Sequence, residues 1–419
     1  MGDAFYERST TADGVEVFTE TIDAVRSVAV GLWVRVGSRD EAPHEAGMSH
    51  FMEHMAFKGT PTRTAQEISA HFERLGAEFN AFTSKEYTCF FARVIDERFD
   101  DAFEVLADMV SNASLAEDAI VSEREVVLEE IARHDDAPDD AVHDLFSAEL
   151  LKGHPLGEQV LGHRETVGAF DRHMATAFKQ RHYIAGNVIV AAAGNVSHDR
   201  VVSAAERWLQ LPAKGTQQRT LAQPQPASRL AVVTRDTEQA HICWGVPGLA
   251  ARSEERFVLA VLDGIFGGGM ASRLFQEIRE KRGLAYAVYS YHTLFLETGE
   301  FVVYAGTRPE NAREVVKIVT EEAARLAADG VSEDELDRVR RHVKGQLVLS
   351  LESTRSRMTR IGKSAVTDTE LLSIDELIAK IDAVTAEDVH QLARRLFEQP
   401  KTLAMIAPLQ ADAVADLVQ

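Results

Sequence analysis

His50-Phe-Met-Glu-His54 sets two imidazoles four residues apart with a carboxylate beside the second. On an α-helix positions i and i+4 share a face, so His50 and His54 can reach one metal ion while Glu53 lies next to them. The carboxylate is then placed to take a proton from a water that the metal polarises. With 15 histidines in 419 residues, composition alone produces such a pattern in about one chain in twenty. The surroundings argue against chance: Gly47, Met48, Phe51, Met52, Met55 and Phe57 make the segment apolar, and ionisable groups buried in such a segment need a partner.

A zinc hydrolase site needs a third protein ligand and an open fourth position. The acidic stretch Ser122-Glu-Arg-Glu-Val-Val-Leu-Glu-Glu-Ile-Ala-Arg133 reads as a helix, with Glu123 and Glu130 two turns apart. Glu130 sits beside Val126 and Val127 on the expected apolar face, whereas Glu129 pairs with Glu125 toward solvent. Glu130 is therefore the expected third ligand and Glu123 its supporting carboxylate. An ordinary helix-surface acid is the alternative for Glu123. His71, His134, His154 and His163 lack a second ligand at helical or hairpin spacing and are expected at the surface or hydrogen-bonded.

Outward from this motif the chain reads as a duplication. Strand-like alternation opens each half, Ser27 to Val36 and Arg229 to Val246. Strand pairs follow at Gly76 to Val94 and Gly283 to Thr307, then amphipathic helices at Glu97 to Ser111 and Glu310 to Ala328. The capping-box patterns Ser114-x-x-Glu117 and Ser332-x-x-Glu335 start long helices, and Asn187 to Ala193 and Thr402 to Ile406 close the halves. Strands grouped between long helical blocks predict an α+β unit used twice, each a mostly antiparallel sheet with helices on one side. The expected division is residues 1–213, a linker at 214–228 containing Gly215, Pro224 and Pro226, and residues 229–419. Positions matching His50, Glu53 and His54 fall near Phe257, Ala260 and Val261, and Glu130 falls near Val348. The second half thus lacks every metal group.

Length and 45% hydrophobic content supply two cores. Cys89 and Cys243 lie in apolar strands, which suggests reduced thiols, with a disulfide as the alternative. No stretch of about 18 apolar residues is present, so no membrane span is expected. With no basic and apolar leader visible at the N-terminus, the expected location is the cytoplasm. A net charge of -21 argues against a nucleic-acid partner. Gly264-Ile-Phe-Gly-Gly-Gly-Met270 lacks the lysine of a phosphate loop and reads as a hinge or gating loop.

The motif, the glutamate 76 residues beyond His54, and the stretches Val34 to Glu41, Phe57-Lys-Gly-Thr60, Asn80-Ala-Phe-Thr83, Glu123 to Glu130 and Arg279-Glu-Lys-Arg-Gly-Leu-Ala-Tyr286 resemble the pitrilysin, insulysin and mitochondrial processing peptidase group. These are zinc peptidases with an inverted H-x-x-E-H motif, and the resemblance runs along essentially the whole chain. It implies one zinc held by His50, His54 and Glu130, Glu53 as general base, and Glu123 as outer carboxylate. It also implies that Arg279 and Tyr286 reach substrate from the second half, with Arg282 and Tyr289 as nearby competitors. Asn80, Ala81 and Phe82 would belong to a strand that takes up substrate as an added strand; a plain buried strand is the alternative. The expected activity is endopeptidase cleavage of short or unfolded peptides in a closed chamber. The expected assembly is a homodimer, or a heterodimer with a metal-free homologue. A catalytically silent peptide-holding subunit of the same group is the competing expectation. Cleavage preference and the metal used in the cell lie beyond these motifs.

Overall fold

The computed structural model describes residues 5–418 apart from 213–214, 216–218, 220 and 222–224, so the expected linker falls largely outside the described residues. Two compact units emerge. They do not follow the chain as two consecutive stretches. One holds residues to Ala132, Glu158–Thr220 and Ser350–Leu371; the other holds Arg133–Gly157, Leu221–Leu349 and Leu372 onward.

Up to the linker the elements are β1 (Glu7–Thr10), β2 (Glu16–Thr21), β3 (Ser27–Val34), α1 (Met48–Ala56), α2 (Ala65–Arg74), β4 (Glu78–Thr83), β5 (Thr88–Ile95), α3 (Phe99–Asn112), α4 (Glu117–Asp135), α5 (Pro138–Leu150), α6 (Arg164–Gly168), α7 (Arg172–His182), β6 (Val188–Gly194) and α8 (His198–Trp208). Beyond it come β7 (Arg229–Thr234), β8 (Ala240–Pro247), α9 (Arg256–Phe266), β9 (Ala285–Leu294), β10 (Gly299–Thr307), α10 (Ala312–Asp329), α11 (Glu333–Ser350), α12 (Thr354–Val366), α13 (Ile374–Asp382), α14 (Ala386–Phe397) and β11 (Thr402–Ala407).

The first sheet runs β1-β2-β6-β3-β5-β4 and the second β7-β11-β8-β10-β9. Apart from β1 the two orders match strand for strand. One parallel pair occurs in each, β2 with β6 and β7 with β11, and all other pairs are antiparallel. The duplicated α+β architecture read from the sequence is thus observed, with β1 and β2 as strands the alternation did not reveal.

One expectation is corrected: helices do not lie on one side only. In β3, Val28, Val30, Leu32 and Val34 enter the core beneath α1 and α3, while Ala29 and Trp33 enter a second core on the opposite face, formed with Met358 and Ile361 of α12. The second sheet repeats this, with Ile242 and Trp244 of β8 packed under α9 and α14 and Cys243 packed with Phe146 of α5. A strand buried on both faces reads as a continuous apolar run. The covering helix of each unit comes from the other half of the chain. Cβ-less positions make both contacts possible: an added Cβ on Gly362 would lie 2.1 Å from the Trp33 indole, and one on Gly245 would lie 2.8 Å from the Phe146 ring.

The capping boxes differ. Ser332 and Glu335 close a reciprocal box (Glu335 N to Ser332 Oγ 3.3 Å, Ser332 N to Glu335 Oε2 3.1 Å). Ser114 does not cap α4, because its hydroxyl donates to the Gly59 carbonyl at 3.0 Å and its N–H donates to the same oxygen. Both cysteines are buried free thiols.

Candidate active site

The sequence around His50 folds as α1 because Met48, Phe51, Met52 and Met55 form an apolar face for the core, with Phe51 edge-on to Phe170 at 5.3 Å. Gly47 precedes the helix at φ +95, where an added Cβ would meet the Leu161 carbonyl at 2.7 Å. No side chain at Gly47 can cap the helix. Glu41 does so from the preceding loop, its carboxyl oxygens accepting from Gly47 N (2.7 Å) and Ser49 N (2.6 Å) and so satisfying N–H groups of the first turn, although burial raises the Glu41 carboxyl to about 8 against the pull of those bonds.

His50 and His54 present Nε2 atoms 3.2 Å apart. Oε2 of Glu130, from α4, lies 3.7 Å from the first and 3.6 Å from the second. These three donors lie within 4.8 Å of one another and are the one metal-capable group of histidine, cysteine or carboxylate ligands among the described residues. Glu123 receives His54 Nδ1 at 2.8 Å and Lys58 Nζ at 2.5 Å. That contact fixes the His54 ring and leaves Nε2 facing Glu130. Of the two acids Glu123 is the buried one, and Glu130 retains 29% side-chain exposure. Val126 is not on the apolar face as expected but 46% exposed, and Val127, with the half-buried Leu128, anchors that turn.

Burial, with the neighbouring His54, pushes His50 down to about 3 and keeps it neutral. Burial opposes protonation of His54, but the Glu123 hydrogen bond together with the nearby Glu123, Glu130 and Glu53 charges raises it. Burial likewise opposes ionisation of Glu123, yet the His54 and Lys58 hydrogen bonds hold its carboxyl below the usual range. Two imidazoles and one carboxylate around a common point suit zinc. Glu53 sits beside them, raised by burial and opposed by a hydrogen bond from Thr83 Oγ1 to its Oε2 at 2.6 Å.

Thr83 ends β4, the edge strand of its sheet. Ala81 faces the core on the α1 side. Phe82 points to the opposite face, edge-on to Trp33 at 5.6 Å. Asn80 is exposed, and its Oδ1 accepts from Ala81 N at 2.9 Å. Glu41, Lys58 and Thr83 were missed as site residues, although each lies in a stretch that carried the family resemblance.

In the second unit Arg279, in a π-helix at Phe275–Glu280, stacks over Phe275 and over Tyr286 at 4.8 and 4.6 Å. Tyr286, on edge strand β9, is 80% exposed. The competitors are engaged elsewhere, Arg282 with Glu277 and Tyr289 with His143. In the glycine cluster, close approach explains two positions: an added Cβ on Gly264 would meet Val339 at 2.6 Å, and one on Gly267 would meet Ser290 N at 2.4 Å. The other histidines are hydrogen-bonded as expected, His71 to the Asp101 carbonyl, His134 to Asp144, His154 to Glu297 and His163 to Glu158. No helix among the described residues is long and apolar enough to cross a membrane.

Residues 16–164 match the insulinase family, peptidase family M16, and residues 169–343 match the peptidase M16 inactive domain. An uncharacterised zinc protease of Streptomyces coelicolor is 42% identical, over 98% of this chain and 92% of its own length. One of Bacillus subtilis is 41% identical over 96% and 98%. This chain belongs to peptidase family M16. Among solved structures, a protease from Helicobacter pylori resembles this M16 chain with a TM-score of 0.89 at 23% identity, covering 96% of this chain and 99% of its own. A chain of complex III2 from Candida albicans does so at 0.84 and 20%, covering 98% and 99%. At those identities the likeness is one of fold. The relatives' names attach zinc and proteolysis to the family.

Proposed function

We propose that this M16 chain is a zinc-dependent endopeptidase acting on extended peptides, with one metal ion per chain. What carries the reading is a single juxtaposition: three metal donors, and a carboxylate beside them that is hydrogen-bonded to the edge strand of the same unit. His50 Nε2, His54 Nε2 and a Glu130 oxygen would hold zinc, and Glu123 would keep the His54 ring in its ligating tautomer. When bound, zinc supplies Lewis acidity to the attacking water and to the peptide carbonyl. Glu53 takes one proton from that water as its oxygen adds to the carbonyl carbon. The same carboxyl returns the proton to the departing amine nitrogen, completing hydrolysis. The outer edge of β4 offers backbone groups to an extended peptide. Arg279 and Tyr286 are proposed to orient the carbonyl and to donate to the oxyanion. A homodimer, enclosing substrate in a chamber, is the proposed assembly.

A peptide-holding role without cleavage is the second reading, favoured by the match of residues 169–343 to the peptidase M16 inactive domain. Incubating zinc-reconstituted protein with quenched fluorescent peptides and with small amides separates the readings. Peptide cleavage that a chelator abolishes and zinc restores supports the peptidase. Peptide binding without cleavage supports the holder, and cleavage of small amides alone defeats both.

A further inference from the structure

The geometry points to Thr83 as the positioning residue of the reaction, the side chain that decides which oxygen of Glu53 works as the base; this rests on the peptidase reading. The Thr83 hydroxyl has one proton, which it donates to Glu53 Oε2 at 2.6 Å. Behind it Thr88 Oγ1 packs at 3.5 Å, with its own proton given to the Val36 carbonyl at 2.9 Å. Thr88 is fully buried and opposes Thr83 across the β4–β5 register. The hydroxyl is thus fixed by the sheet and not by α1.

Two consequences follow. With Oε2 occupied, Oε1 is the oxygen without a protein partner among the described residues, so it takes the proton from water and hands it to the amine. The base is also tied to β4, the strand whose outer edge would register the peptide. One strand therefore locates both the scissile bond and the group that acts beside it, with α1 contributing the backbone of Glu53 alone. A misplacement of about 1 Å at a reacting group costs on the order of 100-fold in rate. Two residues before Thr83 the Asn80 amide oxygen accepts from Ala81 N–H at 2.9 Å, which marks the Ala81 edge as one that must be uncovered for pairing.

The test is Thr83→Val, which keeps shape and removes the hydroxyl, beside Thr83→Ser, which keeps the hydroxyl, and Thr83→Ala as a second hydroxyl-free variant should valine disturb folding. Expected are a fall in kcat of about 10- to 100-fold for valine, KM within about threefold of the parent, zinc content unchanged, and recovery in serine. In the zinc-free protein, affinity for an uncleavable peptide should be equal in parent and valine variant. A valine variant with kcat within twofold of the parent would overturn the inference, as would a loss of peptide affinity matching the loss of rate. A parent that binds zinc and cleaves nothing would overturn the peptidase reading, and this one with it.

Discussion

The two units repeat one sheet order, with the same parallel pair and a helix borrowed from the other half over the far face, yet they treat one helix in opposite ways. In α1, His50, Glu53 and His54 sit among core residues; in α9, Leu259, Val261, Leu262 and Ile265 are simply buried. Of the positions aligned with the metal groups, Val261 is buried, Phe257 is half-buried beneath the Arg256 guanidinium and Val348 is 39% exposed. The second unit shows that the fold forms without polar groups at these places. Buried histidines and carboxylates cost free energy unless paired, so their presence in the first unit answers to chemistry and not to architecture.

The largest test of this contrast is Glu53→Gln, which should lower kcat by about a thousandfold while bound zinc stays at one per chain, measured by peptide cleavage beside elemental analysis. A variant retaining activity would break the contrast at its centre. Glu123→Gln should weaken zinc about 10- to 100-fold by competition titration, since it removes the partner of His54 Nδ1. His54→Ala should leave no stoichiometric metal; full retention would show that the His54 ring is not a ligand. Smaller effects belong to the borrowed helices. Gly362→Ala and Gly245→Ala should each destabilise by about 1–3 kcal/mol in calorimetry. Gly245 should cost more, because its added Cβ also meets the Phe301 carbonyl at 2.3 Å, and backbone cannot swing aside.

The smallest effect concerns the helix starts. Although burial opposes it, hydrogen bonds from Arg273 and Ser332 hold the Glu335 carboxyl down at about 2. A depressed carboxyl contributes its stability above its unfolded value and loses it as pH falls through the folded one. Glu335→Ala should therefore cost about 1 kcal/mol near neutrality, allowing for solvent screening, with the deficit closing between about pH 4.5 and 2. Ser114→Ala, at the start of α4, should show no such pH dependence.

The local parts of this molecule were legible in sequence. Helical spacing put His50 and His54 on one face, and two turns set Glu123 and Glu130 apart. Short apolar runs set off by turns marked β3 to β6. The partners that crossed long stretches of chain were not. Thr83 reaches Glu53 across 30 residues, and Glu41 caps a helix that begins after a positive-φ glycine; nothing in either local pattern names the partner. Val126 was misplaced because α4 is solvated on the side where an apolar neighbour was expected. Likewise α5 and α12 carry apolar faces that record a need for burial without saying which sheet supplies it.

The borrowed helices also set a clock on the ribosome. The strands of the first sheet are complete once residue 194 has been made, but the helix that covers Trp33, Phe91 and Ile189 ends at residue 366. At about 5–20 residues per second that face waits on the order of ten to thirty seconds with its aromatic side chains open to other nascent chains. The second sheet has the reverse problem: α5 emerges well before any of the strands it covers. Slowing translation between the two halves should therefore raise the yield of aggregated product.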